Sequence, residues 1–180
     1  MQPTLTSDRL TLRPWVDQDA ETVLDMYSRI EVMRYIGRTP TLITDLAQAR
    51  ALILRWQGLS TTELCGAWAI VPQGWDAPVG NALLKLLPAS GSGEPSGVTE
   101  VGWHLHPAAW GRGYATEAGR RLLQHAWDHG LTEVFAVTNP ENAASQAVCA
   151  RLGMLALGLT QAYYDTSCSL FVARPSTLPI

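Results

Sequence analysis

The period of apolar positions changes repeatedly along the 180-residue chain, and each change marks an element. From residue 9 to 13, Leu10 and Leu12 alternate with Arg9, Thr11 and Arg13, the two-residue period of a half-buried strand, and Pro14 stops it. Residues 17–30 switch to a helical period, with Ala20, Val23, Leu24 and Tyr27 as the inner stripe and Asp17 as the expected N-cap. A second helix follows Thr44, carries Leu46, Ala49, Leu52, Ile53 and Trp56 on one side, and ends near Gly58. Residues 35–43, with Gly37 and Pro40, read as the loop between the two helices. Three apolar runs at 66–71, 79–87 and 98–105 predict strands. Residues 72–78 join the first two, and residues 88–97, too polar and glycine-rich to pack, predict a mobile hairpin loop. A helix over 116–129, a strand over 134–137, a helix over 142–152 and a closing strand pair over 157–162 and 168–173 complete the chain. This order predicts an α/β fold, a mixed sheet with helices on both faces.

Composition narrows the picture. With 47% hydrophobic residues, the chain has material for one substantial core, and residues 1–180 read as one domain. A net charge of −3 offers no basic patch, so no nucleic-acid partner is expected. The N-terminal stretch lacks the charged-then-apolar pattern of a signal segment and no apolar run approaches a membrane span, so the reading is cytoplasmic with no membrane partner. Cys65, Cys149 and Cys168 are odd in number and dispersed, which argues for reduced thiols.

The candidate chemistry lies in Trp110-Gly111-Arg112-Gly113-Tyr114-Ala115-Thr116-Glu117-Ala118, reached through the apolar strand that ends at Pro107. Two glycines around an arginine let the backbone bend tightly just before a helix, so consecutive N–H groups can face one anion at the positive helix end. A dinucleotide-binding fingerprint fits poorly, because Thr116 stands where a third glycine belongs and Glu133 precedes the next strand instead of ending it. A Walker loop needs Gly-Lys-Ser/Thr, and the only lysine, Lys85, lies far upstream. A glycine-rich turn without a ligand is the plain alternative.

A second signature, Asn139-Pro140-Glu141-Asn142-Ala143-Ala144-Ser145, leads into Val148, Leu152, Gly153 and Met154. With both signatures in place, the chain resembles the GNAT superfamily of acetyl-CoA-dependent N-acetyltransferases. Within it the chain is similar to the Rim branch, whose named members acetylate ribosomal-protein N-termini. The opening Thr4-Leu5-Thr6-Ser7-Asp8-Arg9-Leu10-Thr11-Leu12-Arg13-Pro14-Trp15 also looks like that branch. One departure is Trp110, where the superfamily's loop usually begins with Gln or Arg.

The resemblance implies a mostly antiparallel, splayed sheet, with acetyl-CoA lying along the 98–105 strand where it parts from 134–137. It implies strand contacts from Leu105 and His106, a pyrophosphate held by Trp110, Gly111, Arg112, Gly113, Tyr114, Ala115 and Thr116, and Asn142 bracing the pantetheine or the reacting centre. Ser145, one turn past Asn142, becomes the donor of a proton to the departing thiolate, and a residue that merely supports the helix start is the alternative. Glu100, on the strand beside the cofactor, is the candidate base for the attacking amine; a solvated strand carboxylate is the other reading. The acceptor is a primary amine, most simply a peptide N-terminus, with loop 35–43 as its docking segment. A small amine such as an antibiotic or polyamine, and an acyl-CoA-binding module without transfer, stand as alternatives. A homodimer is compatible with the resemblance.

The remaining chemistry-bearing residues read as structural. His125 and His129 are one helical turn apart but share a side with Arg121 and Asp128, which reads as a solvated face, and neither they nor His104 and His106 bring a third metal ligand. Cys149, among Val148, Ala150 and Leu152, reads as core. Trp68 and Trp103 read as core; Trp15 and Trp75 are candidates to line a pocket.

Overall fold

The computed structural model describes residues 2–60 and 62–175. In chain order the elements are β1 (Leu5–Thr6), β2 (Leu10–Pro14), α1 (Ala20–Tyr27), α2 (Ile30–Met33), α3 (Leu46–Gln57), β3 (Gly66–Pro72), β4 (Gly80–Pro88), β5 (Pro95–Leu105), α4 (Tyr114–Asp128), β6 (Val134–Thr138), α5 (Ala143–Arg151), β7 (Leu155–Thr160) and β8 (Cys168–Ala173). The strands form one sheet in the order β1-β2-β3-β4-β5-β6-β8-β7. Every neighbouring pair is antiparallel except β5 and β6, which run parallel. The expected α/β architecture, mostly antiparallel with helices on both faces, is the one observed.

Strand periodicity explains the layering. All seven residues of β3 are buried, because the strand is covered on both sides. Trp68 and Ile70 point into one core with Leu10, Leu12, Ala82, Leu84, Val101 and the α4 residues Ala118, Leu122 and Leu123. Ala67 and Ala69 face the other way, and these small side chains admit α1 and α3, whose Val23, Met26, Ala49 and Ile53 build the second core. Trp15, Tyr27 and Trp56 stack within it, with ring centroids 4.9 and 5.5 Å apart; such pairs add about 0.5–1.5 kcal/mol beyond their area burial.

Three local expectations need correction. Asp17 does not cap α1; it opens a 3-10 turn, and Asp19 takes the N-cap position without a side-chain bond to the helix, its Oδ2 instead accepting from the Val16 N–H at 3.0 Å while Arg13 grips both carboxylate oxygens. Asp19 turns to these partners because a buried carboxylate needs one, and Arg13 is in reach of it. The segment at 88–97 is tied down: Ser90 N–H donates to Ala162 O at 2.8 Å, Gly91 N–H to Asp165 Oδ1 at 2.6 Å, and Asp165 N–H to Ser90 Oγ at 3.0 Å. Its polar residues thus meet the 161–167 loop, a partner that composition does not reveal. His125 is buried instead of solvated, donating Nε2–H to Glu63 O at 3.0 Å and packing edge-on to Trp68.

Candidate active site

β5 and β6 part company within the sheet. Their register holds one pair, Glu100 with Phe135, and beyond it the two parallel strands diverge. Antiparallel pairing alternates the direction of backbone groups, and His106 N–H donates to Val79 O at 2.9 Å, on the β4 side. By that alternation His104 and Gly102 also face β4, whereas the N–H groups of Trp103 and Leu105 face the opening. His106 is therefore not an edge donor as expected. Trp103 packs its side chain against the core, as expected, and turns its backbone N–H toward the opening; the alternation of the ladder is the signal that locates it. Leu105 keeps its N–H toward the opening, while its carbonyl accepts Trp110 Nε1–H at 2.9 Å.

Parallel strands bring their ends to the same mouth. After Leu105 come a short 3-10 turn capped by His106, whose Nδ1 accepts from Ala108 N–H, and then the glycine-rich loop. Gly111 and Gly113 have φ of +75° and +80°, the left-handed region that favours glycine. Gly113 stands at the N-cap of α4 and no side chain caps the helix, so its leading N–H groups point outward with the positive end of the helix dipole behind them. Arg112 and Trp110 are exposed beside them. Glu117, in the first turn of α4, would oppose an anion there; Arg9 answers its charge at 2.6 Å and also donates to Arg112 O. Burial works against the ionised Glu117, yet hydrogen bonds from Ser7 and Arg9 hold it below the ordinary glutamate range.

The end of β6 supplies the other lip. Asn142 is the N-cap of α5 and its Oδ1 accepts the Ser145 N–H at 3.1 Å. Capping thus falls to Asn142, and the half-buried Ser145 keeps an Oγ with no hydrogen-bond partner among the described residues. Thr116 joins the lips, its hydroxyl accepting from Arg151 Nε at 3.3 Å.

Glu100 sits at the apex where the strands separate, buried and not solvated. Tyr164, from the β7–β8 loop, donates its hydroxyl to Glu100 Oε2, and Lys85 Nζ lies 3.8 Å from the same oxygen. Burial pushes the Glu100 carboxyl above its ordinary range, and Lys85 and Tyr164 pull it part of the way back. His104, on the same face, meets Tyr27 Oη at 2.9 Å; burial, reinforced by the Lys85 charge, pushes it down to about 4. Glu100 and Ser145 are brought to one opening, apex and lip, without touching each other.

The sequence pattern of the acetyltransferase (GNAT) domain matches residues 9–155. The chain belongs to the GNAT acetyltransferase family. It is 29% identical over 161 residues to an uncharacterised N-acetyltransferase, p20, of Bacillus licheniformis, covering 89% of this chain and 86% of that one. It is 28% identical over 180 residues to the FsC-acetyl coenzyme A-N(2)-transacetylase of Aspergillus fumigatus, covering 92% and 70%. Its fold is similar to that of Mycobacterium smegmatis RimJ in complex with CoA-disulfide, at a TM-score of 0.76, with 18% identity over 99% and 88% of the two chains. GNAT acetyltransferases use acetyl-CoA, and the donors present suit it: an uncapped helix start between left-handed glycines for a diphosphate, and an open strand edge for an amide-bearing arm.

Other candidates of this GNAT domain fall outside that opening. Trp15 is core, 1% exposed, with its indole N–H on Asn81 Oδ1. Trp75 does line one, a cleft of about 430 Å³ with Asp25, Pro78, His106, Arg112 and Tyr114. Cys149 is buried and its thiol pushed up to about 12 by burial, consistent with a packing role. All three cysteines are free thiols. Among the described residues no helix is long and apolar enough to cross a membrane. Tyr164 and Lys85 were missed in the sequence; Lys85 stands opposite Glu100 in the β4–β5 register and was findable from the strand pairing, but nothing local connects Tyr164 to a strand 64 positions away.

Proposed function

We propose that this acetyltransferase acylates the primary amine of a peptide or protein N-terminus by direct attack in a ternary complex. The observation that carries the chemistry is the single opening in the sheet, with an uncapped helix start and a free serine hydroxyl at its mouth and a carboxylate at its apex. Bound acetyl-CoA supplies the acetyl group as an activated thioester. The residues at 110–116 hold its diphosphate through backbone N–H groups, with Arg112 adding charge. Trp103 and Leu105 offer fixed N–H dipoles along the open edge, suited to a carbonyl oxygen that gains negative charge. Ser145 Oγ donates a proton at the leaving thiolate, and Asn142 fixes the turn that presents it. Glu100 takes the proton of the amine, directly or through a water.

The N-terminal acceptor is supported by the resemblance to the Rim branch along nearly the whole chain. An acetyl-transfer screen against N-terminal peptides and small amines, read by release of free thiol, tests the reading. Turnover on peptides supports it, and turnover confined to small amines moves the acceptor to that class. Binding of acetyl-CoA with no turnover on either would make the domain a sensor.

A further inference from the structure

Resting on Glu100 as the base, we propose that Tyr164 and Lys85 are positioning residues that clamp one oxygen of Glu100, Oε2, and leave Oε1 as the atom that receives the acceptor's proton. Both contacts converge on Oε2: the Tyr164 hydroxyl donates to it, and Lys85 Nζ lies 3.8 Å away while sitting 4.8 Å from the centre of the Tyr164 ring. Oε1 has no hydrogen-bond partner among the described residues, and 9% of the Glu100 side chain remains exposed.

Backbone geometry supports the same assignment independently. Tyr164 and Asp165 have φ of +59° and +51°, and they are the non-glycine residues in the left-handed region among those described. Consecutive residues hold that conformation only where surrounding bonds impose it. Here Asp165 is pinned from both sides by the β4–β5 turn, through Gly91 N–H on its carboxylate and Ser90 Oγ on its own N–H, and Tyr163 bridges Ala89. The turn at 88–97 thus fixes the loop that aims Tyr164 at the sheet.

The groups facing Glu100 are Lys85 from β4, Tyr164 from the loop and Cys168 from β8, with His104 farther along the strand on the same face, past Gly102, and Phe135 as the neighbour on β6. Lys85 and Tyr164 both favour the ionised carboxylate, the form able to accept a proton, against the burial that disfavours it. In the step itself the acceptor ammonium gives one proton to Oε1, directly or through a water. The freed lone pair forms the C–N bond to the thioester carbonyl carbon, the nitrogen sheds its second proton to solvent, and the C–S bond breaks. The thiolate takes a proton from Ser145 Oγ, which recovers one from solvent, as Glu100 returns its own to solvent.

The test is the pH dependence of kcat at saturating acetyl-CoA for Tyr164→Phe, Lys85→Met and Lys85→Arg beside Glu100→Gln. Tyr164→Phe and Lys85→Met should each move the acidic limb upward by about half to one pH unit, since each removes a group that lowers the carboxyl. Lys85→Arg should restore it, and the KM for acetyl-CoA should stay within about twofold. A uniform fall in kcat at every pH, with the limb unmoved, would overturn the proposal in favour of a structural role. If Tyr164→Phe does not fold, as judged by its thermal melt, the Met and Arg pair at Lys85 decides by the same shift and its restoration. An acidic limb that persists in Glu100→Gln defeats the base itself. A limb lost in Glu100→Gln but unmoved in the Tyr164 and Lys85 variants defeats only the clamp.

Discussion

Ser145 and Asn142 divide two jobs that serine and asparagine often compete for. Asn142 satisfies the orphan N–H of the first turn of α5, so the Ser145 hydroxyl is released from capping. Ser145→Ala should therefore leave the helix intact and lower turnover by about ten- to a thousandfold, with acetyl-CoA affinity near wild type by calorimetry. Unchanged turnover under rate-limiting chemistry would return Ser145 to the helix. Local signatures made this residue legible in the sequence, as they did the loop at 110–116. Glu100 was legible as a strand residue beside the opening, but not its environment. Its carboxylate is met by Tyr164, and a contact across 64 positions leaves no trace in local periodicity.

At the level of elements, the start of α4 unites glycine geometry with charge balance. A side chain at Gly113 would be strained at φ +80° and would bring its Cβ 3.3 Å from the Arg9 guanidinium. Gly113→Val should abolish the rise in melting temperature that coenzyme A gives the parent, a rise expected because the ligand binds the folded state alone. A parent without any such rise at saturating coenzyme A would remove the anion site from the loop. Arg9→Met removes the cation that balances Glu117 in the first helical turn, leaving only neutral donors on its carboxylate. Coenzyme A affinity should then drop by about three- to tenfold at low salt, and the loss should shrink as ionic strength rises; a salt-independent loss would point to altered packing instead. Element boundaries were legible at Pro14 and Gly58, where an apolar run met proline or glycine. The two-residue β1 and the single turn of α2 were not, because neither is long enough to set a period.

Across the whole molecule, stability should follow the enclosed histidine. His104 has a folded value near 4 against 6.5 when free, so the unfolded chain binds the extra proton between those values. Its contribution is complete above about pH 6.5 and declines as pH falls toward 4, by up to on the order of 2–3 kcal/mol. Urea unfolding across that window should show the decline, and His104→Gln should flatten it in part, since His125 is also lowered, mainly by burial. An unaltered slope in the variant would assign the decline elsewhere. The global arrangement was legible because the order of strand and helix periods leaves few ways to cover both faces of a sheet. What was not legible is how little joins its halves: β1 to β5 and β6 to β8 meet in the sheet through the one pair of Glu100 and Phe135. In the proposed pose a metabolite's flexible arm fills the missing hydrogen-bonded row. The sheet would then be completed by its own reactant: the same chain would be a looser body without acetyl-CoA than with it.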